Sequence, residues 1–231
     1  MATKPNFGES IRTLQREKRF AALVVKYGVP DLKRKGKPFQ ALVRAIIGQQ
    51  VSGAAARTIF ARFLTLFPTG KFPTPETVSA IPLEKMRAAG LSGQKTSYIK
   101  DLAEKFSDGT IRYRMLSKMT SDELVEHLVQ VKGIGVWTVH MFLIFTLNRP
   151  DILPTGDLGI RKGFQTLYKL KDLPDHAQME RLALPWRAHA SVASWYLWRV
   201  ADSARPKPRA KEGGAKLKPR PVSRSTRRRR K

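Results

Sequence analysis

Two features between Leu128 and Gly163 have residue types and a spacing suited to joint chemistry. In LVQVKGIGVWTVHMFLIFTLNRPDILPTGDLGIRKG, a glycine-marked turn, Gly133-Ile134-Gly135, interrupts two apolar helical runs. Such a turn bares backbone N–H groups on one side, and glycine lets a phosphate approach the main chain. The helix that starts there adds the positive end of its dipole. Ile134 is expected to pack inward, with Lys132 adding charge at the mouth. Further along, Asp157 follows Pro154-Thr155-Gly156 and opens a basic, amphipathic segment. A lone carboxylate there could serve acid–base or electrostatic chemistry. As plain structure it would cap a helix from Leu158 to Leu167. A backbone clamp for phosphate beside one placed acid points to chemistry on nucleic acid.

The composition agrees. The 231 residues contain 44 Lys or Arg against 18 Asp or Glu, a formal net charge of +26. Each cation that meets a phosphate also releases condensed counterions, so this excess implies a polyanionic partner. With 42% apolar residues the chain is expected to fold around a substantial core. The absence of cysteine excludes disulfides, thiolate-held iron–sulfur clusters and the common zinc modules. His127, His140, His176 and His189 show no metal-ligand spacing and read as surface or interface residues. No apolar run reaches the length of a membrane span and no signal-peptide core is present, so an intracellular protein is expected.

The elements that must position these residues all show helical period, with no convincing alternating strand. One amphipathic helix is expected over Ser10–Tyr27, and others over Phe39–Gly48 and Gly53–Phe67, the last closed by Pro68. Shorter helices are expected from Thr74 or Pro75 to Ala80 and over Leu83–Ala89. Lys95–Phe106, Ser121–Val131 and Ala188–Ala204 complete the pattern. Lys33-Arg34-Lys35-Gly36-Lys37-Pro38 reads as a basic link. From Arg205 the composition changes. Residues 201–231 carry 13 Lys or Arg against 2 Asp or Glu, so +11 of the +26 lies there. A tail so poor in apolar residues is not expected to fold alone; it suits a DNA tether, a solvated end or a nuclear-import signal equally.

Leu128, Val131, Gly133, Ile134, Gly135, Thr138 and Val139 together resemble the helix-hairpin-helix signature. With Asp157, the run FQALVRAIIGQQVS (39–52) and Pro185-Trp186-Arg187, residues 10–202 resemble the helix-hairpin-helix DNA glycosylases. Within that superfamily the chain is most similar to the alkyladenine branch, in its compact form without an N-terminal α/β domain. The resemblance implies an all-α fold in which two helical subdomains flank a DNA-binding cleft with the hairpin beside it. It divides the chain into a glycosylase domain over 1–204 and the basic tail over 205–231. The implied activity is hydrolysis of the bond between deoxyribose and an alkylated purine in double-stranded DNA, by a monomer needing no cofactor. The same fold acting on uracil, etheno-adenine or oxidised purines is the alternative, as is a hairpin module that binds DNA without catalysis.

The resemblance also implies roles for single residues. Asp157 matches the catalytic aspartate of the family. Trp137 stands where members that also cut the strand use a lysine nucleophile, so no lyase step is expected. Trp137 and, less directly, Trp186 are candidates for stacking on the extruded base, whereas Trp195 and Trp198 read as core. The residue that fills the gap left by the base falls at Gln50, with Gln49 beside it. Larger relatives often have an apolar residue at that position, a departure in this chain. Lys132, Gly133, Ile134 and Gly135 are expected on the DNA backbone. Ser92-Gly93-Gln94-Lys95 resembles a second DNA-facing loop, with Gly93 and Lys95 at phosphate. The carbonyls of Lys132 and Ile134 could hold a sodium or potassium ion.

Overall fold

A computed structural model describes residues 7–32, 36–67 and 70–204. The expectations for the tail over 205–231, for Pro68 and for Lys33, Arg34 and Lys35 of the basic link fall outside these described residues. Among them the regular structure is helical throughout, with no strand. The α-helices are α1 (Phe7–Arg16), α2 (Lys18–Tyr27), α3 (Pro38–Gly48), α4 (Gly53–Thr65), α5 (Pro75–Ala80) and α6 (Leu83–Ala88). They continue with α7 (Gly93–Ser107), α8 (Ser121–Leu128), α9 (Val136–Phe142), α10 (Leu158–Tyr168), α11 (His176–Ala183) and α12 (Ala190–Ser203). A π-helical turn, Leu143–Leu147, extends α9, and a 3-10 turn, Leu184–His189, leads into α12.

Local chemistry explains most boundaries. The side chains of Ser52, Thr74, Ser92 and Asp175 accept from the backbone three residues on, so each starts a helix. Thr120 and Glu123 cap each other reciprocally at the start of α8. Pro38 and Pro75 occupy first-turn positions, where no N–H is needed. The single helix expected over Ser10–Tyr27 is two. Glu17 adopts an extended backbone (φ −90°, ψ 114°) and its carboxylate accepts from Phe20 N at 2.9 Å, restarting the helix as α2. The apolar period runs through this break because both helices bury the same side of the chain, Leu14 from one and Phe20 and Leu23 from the other.

Two interleaved halves share one apolar core. The first is made of the chain's beginning and end: α1 and α2 pack on α12 and its 3-10 turn, and α10 lies along α12. The second is the middle of the chain, where α7 packs on α3, α5 and α6, α8 on α9, and α9 with its π-turn on α3. The α10–α12 pair approaches unusually closely. A Cβ built on Gly163 would lie 2.5 Å from the Leu197 carbonyl oxygen, and one on Gly159 would lie 2.9 Å from Trp198 Cδ1. Four residues apart, the two glycines share one helix face and admit the backbone of α12. No described helix is long and apolar enough to cross a membrane.

Candidate active site

The hairpin joins α8 to α9, which places its turn in the second half of the molecule. Gly133 takes a left-handed backbone (φ +77°), and its missing side chain has a second cause. A Cβ there would lie 2.0 Å from the ring of Tyr98, which packs directly beneath the turn. Gly135 differs. Its backbone is extended (φ −98°, ψ 172°), no side chain caps α9, and nothing lies within 4 Å of where its Cβ would be. One glycine is a packing necessity and the other leaves open space over the start of a helix. Ile134 is buried, as its position between the glycines suggested. Lys132 is mostly exposed, and its backbone N–H donates to Asp101 Oδ2 at 2.9 Å. Asp101 is itself buried, which opposes its charge. The hydrogen bonds from Lys105 and from the Lys132 backbone outweigh that burial and hold its carboxyl below the ordinary carboxylate range.

Asp157 caps α10 through Oδ1, which accepts from Ile160 N at 2.9 Å. Two indoles complete its shell. Trp137 Nε1 donates to Oδ2 at 2.7 Å, and Trp198 Nε1 donates to Oδ1 at 3.0 Å. Trp137 comes from α9 in the second half, whereas Asp157 and Trp198 belong to the first. The carboxylate therefore stands where the halves meet. Trp137 is half exposed (51%), as are its sequence neighbour Val136 and Leu158, the residue after Asp157. Phe145, from the π-turn, stacks on Trp198 with ring centroids 5.9 Å apart. Phe145 also lines a cavity of about 250 Å³ between α3 and α9, with Gln40, Ala41 and Met141. Phe145 thus lines the recess and stacks on an indole that holds the carboxylate.

Three expectations change. Trp186 does not line a cleft: it is 1% exposed, packed edge-on against Phe20 and tilted on Phe164, with its indole donating to Tyr168 Oη at 3.2 Å. The 3-10 turn that carries it points it into the first half's core. Trp198, read as core, does pack against it partly buried, and is in addition a direct partner of the acid. Lys95, expected at phosphate, is committed elsewhere: its Nζ donates to the carbonyls of Ile47 at 2.8 Å and Gln49 at 2.7 Å. Burial lowers its pKa below the usual lysine value. Gly93 remains open at the start of α7, with nothing within 4 Å of its Cβ position.

The two glutamines also part company. Gln49 Nε2 donates to the Gly133 carbonyl at 2.8 Å, which ties the end of α3 to the hairpin. Gln50 is exposed and sits in the left-handed region (φ 55°), which is uncommon for a residue with a side chain. Tyr98 and Asp101 were not singled out from the sequence. Their signal is a spacing of three on α7, indistinguishable there from ordinary amphipathic residues. No group of three or more His, Asp or Glu suited to a metal ion exists among the described residues.

Comparison with known proteins bears on this geometry. Residues 43–188 match the HhH-GPD superfamily of base excision DNA repair proteins. DNA-3-methyladenine glycosylase 1 of Schizosaccharomyces pombe is 38% identical over 191 residues, which span 81% of this chain and 82% of that protein. Among solved structures, the same yeast's 3-methyladenine DNA glycosylase in complex with abasic DNA matches with a TM-score of 0.74 and 35% identity. That match covers 85% of this chain and 98% of the other. A DNA-3-methyladenine glycosidase from Bacillus halodurans matches with a TM-score of 0.76 and 31% identity, over 87% of this chain and 91% of its own. The helical fold and much of the sequence are thus shared along most of the chain, which belongs to the HhH-GPD superfamily of base excision DNA repair proteins.

Proposed function

We propose that this protein is a monofunctional DNA glycosylase that removes alkylated purines, of the 3-methyladenine and 7-methylguanine type, and so initiates base excision repair. The observation that carries this reading is the shell of Asp157: one carboxylate at the junction of the halves, held by two indole N–H groups and a backbone N–H. Relatives named as 3-methyladenine glycosylases over most of both lengths support the choice of lesion.

In the reaction the bond from C1′ to the base breaks and its electron pair leaves with the base. A purine alkylated on a ring nitrogen carries positive charge, so it departs neutral without a general acid. Positive charge then develops on the sugar, where Asp157 stabilises it and orients water to attack C1′. The proton lost by that water passes to Asp157 or to solvent. Trp137 bears no amine, so water is the nucleophile and no Schiff base forms. The extruded base stacks on the half-exposed Trp137 beside Asp157, whose ring face attracts its charge.

Around this centre, the open amides at Gly135 and the Lys132 side chain take the phosphate backbone of double-stranded DNA, with Gly133 and Ile134 shaping the turn and the open Gly93 offering a second contact. Gln50 fills the gap left by the base. A monovalent cation at the carbonyls of Lys132 and Ile134 would tighten the grip, and DNA affinity would then differ between potassium and a large organic cation at equal ionic strength. The protein acts as a monomer in whichever compartment holds the DNA.

The test is release of free base from duplexes carrying 3-methyladenine, 7-methylguanine, etheno-adenine, uracil or 8-oxoguanine. Alkylated purines should be released fastest, the abasic strand should stay intact, and borohydride should trap no protein–DNA adduct. Asp157→Asn should slow release by about 10³-fold while binding to abasic-site DNA persists. Activity confined to oxidised or deaminated bases, or full activity of the Asn variant, overturns the assignment.

A further inference from the structure

Helix α7 reaches both DNA-facing segments from beneath. Lys95, Tyr98 and Asp101 lie three residues apart along one side of it. The Lys95 ammonium takes the carbonyls of Ile47 and Gln49, at the end of α3, which the helix itself leaves without partners. Gln49 then reaches across to the Gly133 carbonyl. Tyr98 fills the space under Gly133, and its hydroxyl accepts from Gln94 Nε2 at 2.6 Å. Asp101 holds the Lys132 backbone N–H. The Gln49–Gln50 turn and the hairpin are therefore registered against one rigid element, and Gln50 is presented in a left-handed conformation at the edge of that assembly.

We propose that α7 is a brace in which Lys95 is a positioning residue: it fixes the Gln49–Gln50 turn relative to the hairpin, so that the side chain of Gln50 enters the duplex at a set distance from the gripped phosphate. This rests on the gap-filling role given to Gln50 above. Lys95 then assists extrusion of the base rather than DNA affinity or bond cleavage. Its two carbonyl acceptors accord with this, because an ammonium so engaged has little donor capacity left for phosphate.

The experiment measures single-turnover release of 7-methylguanine placed opposite cytosine or opposite thymine in otherwise identical duplexes. A mispaired base is easier to extrude, so it depends less on the inserted side chain. Lys95→Met should slow release from the paired site about tenfold more than from the mispaired site, and Lys95→Arg should restore the ratio. Gln50→Ala should shift the ratio in the same direction. If Gln50→Ala shifts it and Lys95→Met slows both sites equally or neither, the brace is overturned and the gap-filling role stands. If Gln50→Ala leaves the ratio unchanged, the gap-filling role falls and the brace with it. Should Lys95→Met fold poorly, Gln49→Leu cuts the same tie at its hairpin end; an unchanged ratio there overturns the brace.

Discussion

Helices α9 and α10 both begin at the candidate site, and they begin in opposite ways. α9 starts at Gly135 with no capping side chain and open space above its first amides. α10 starts at Asp157, whose carboxylate caps its own helix and accepts from two indoles besides. The glycines at the two places differ in the same sense. Gly135 has nothing within 4 Å of where a Cβ would stand, whereas Gly159 and Gly163 are bare because α12 already occupies the space. A glycine near a helix start is therefore no evidence of a ligand by itself. What decides is whether the volume it vacates is filled by the protein.

That contrast can be broken in steps of decreasing size. Gly133→Ala should be the most damaging. It adds a methyl in a left-handed backbone and drives it into the Tyr98 ring, at a cost of about 2–4 kcal/mol of stability, and it should weaken DNA binding at once. Thermal melts and a DNA titration check it; a variant as stable as the parent would remove Tyr98 from the account of the turn. Next comes Trp198→Phe, which keeps an aromatic face on Phe145 but withdraws one donor from Asp157. Single-turnover base release should fall about tenfold with little change in DNA affinity. A fall in affinity with an unchanged rate would mean that the indole serves DNA rather than the acid. The smallest effect, and the most discriminating, belongs to Gly135→Ser. Here the backbone is unstrained and the space empty, so serine can cap α9 and raise stability by roughly a few tenths of a kcal/mol. The same hydroxyl stands over the amides, and affinity for DNA should drop several-fold. A gain in both would show that these amides are not where the phosphate sits.

The hairpin was legible in the sequence because its features are local. Gly133, Ile134 and Gly135 carry their reasons within a few residues, and Asp157 stands directly before the helix it caps. Element types were legible for the same reason, since caps and apolar period are short-range signals; the break at Glu17 was not, because the period survives it. The surroundings of the acid are a different matter. Trp137 could be placed only through the resemblance to a family. Trp198 lies 41 residues from Asp157 and reaches it because Gly159 and Gly163 let α12 settle on α10. Nothing near Trp198 distinguishes it from Trp186, which the 3-10 turn directs into the core. Lys95 misled for a related reason. A lysine at a helix start looks like a phosphate ligand until the carbonyls of Ile47 and Gln49 are seen within its reach. Long-range approach of backbones, set by packing, assigned these side chains.

If Asp157 faces the sugar as proposed, its shell has a consequence for the rate as well as for geometry. An exposed carboxylate is wrapped in water, and as positive charge grows on a nearby sugar those waters must turn, which adds to the barrier. Here Trp137, Trp198 and the Ile160 amide offer the carboxylate N–H dipoles anchored in three helices. They already point at the negative charge before substrate arrives. The work of ordering the solvent is done during folding, so little reorganisation remains for the moment of bond cleavage.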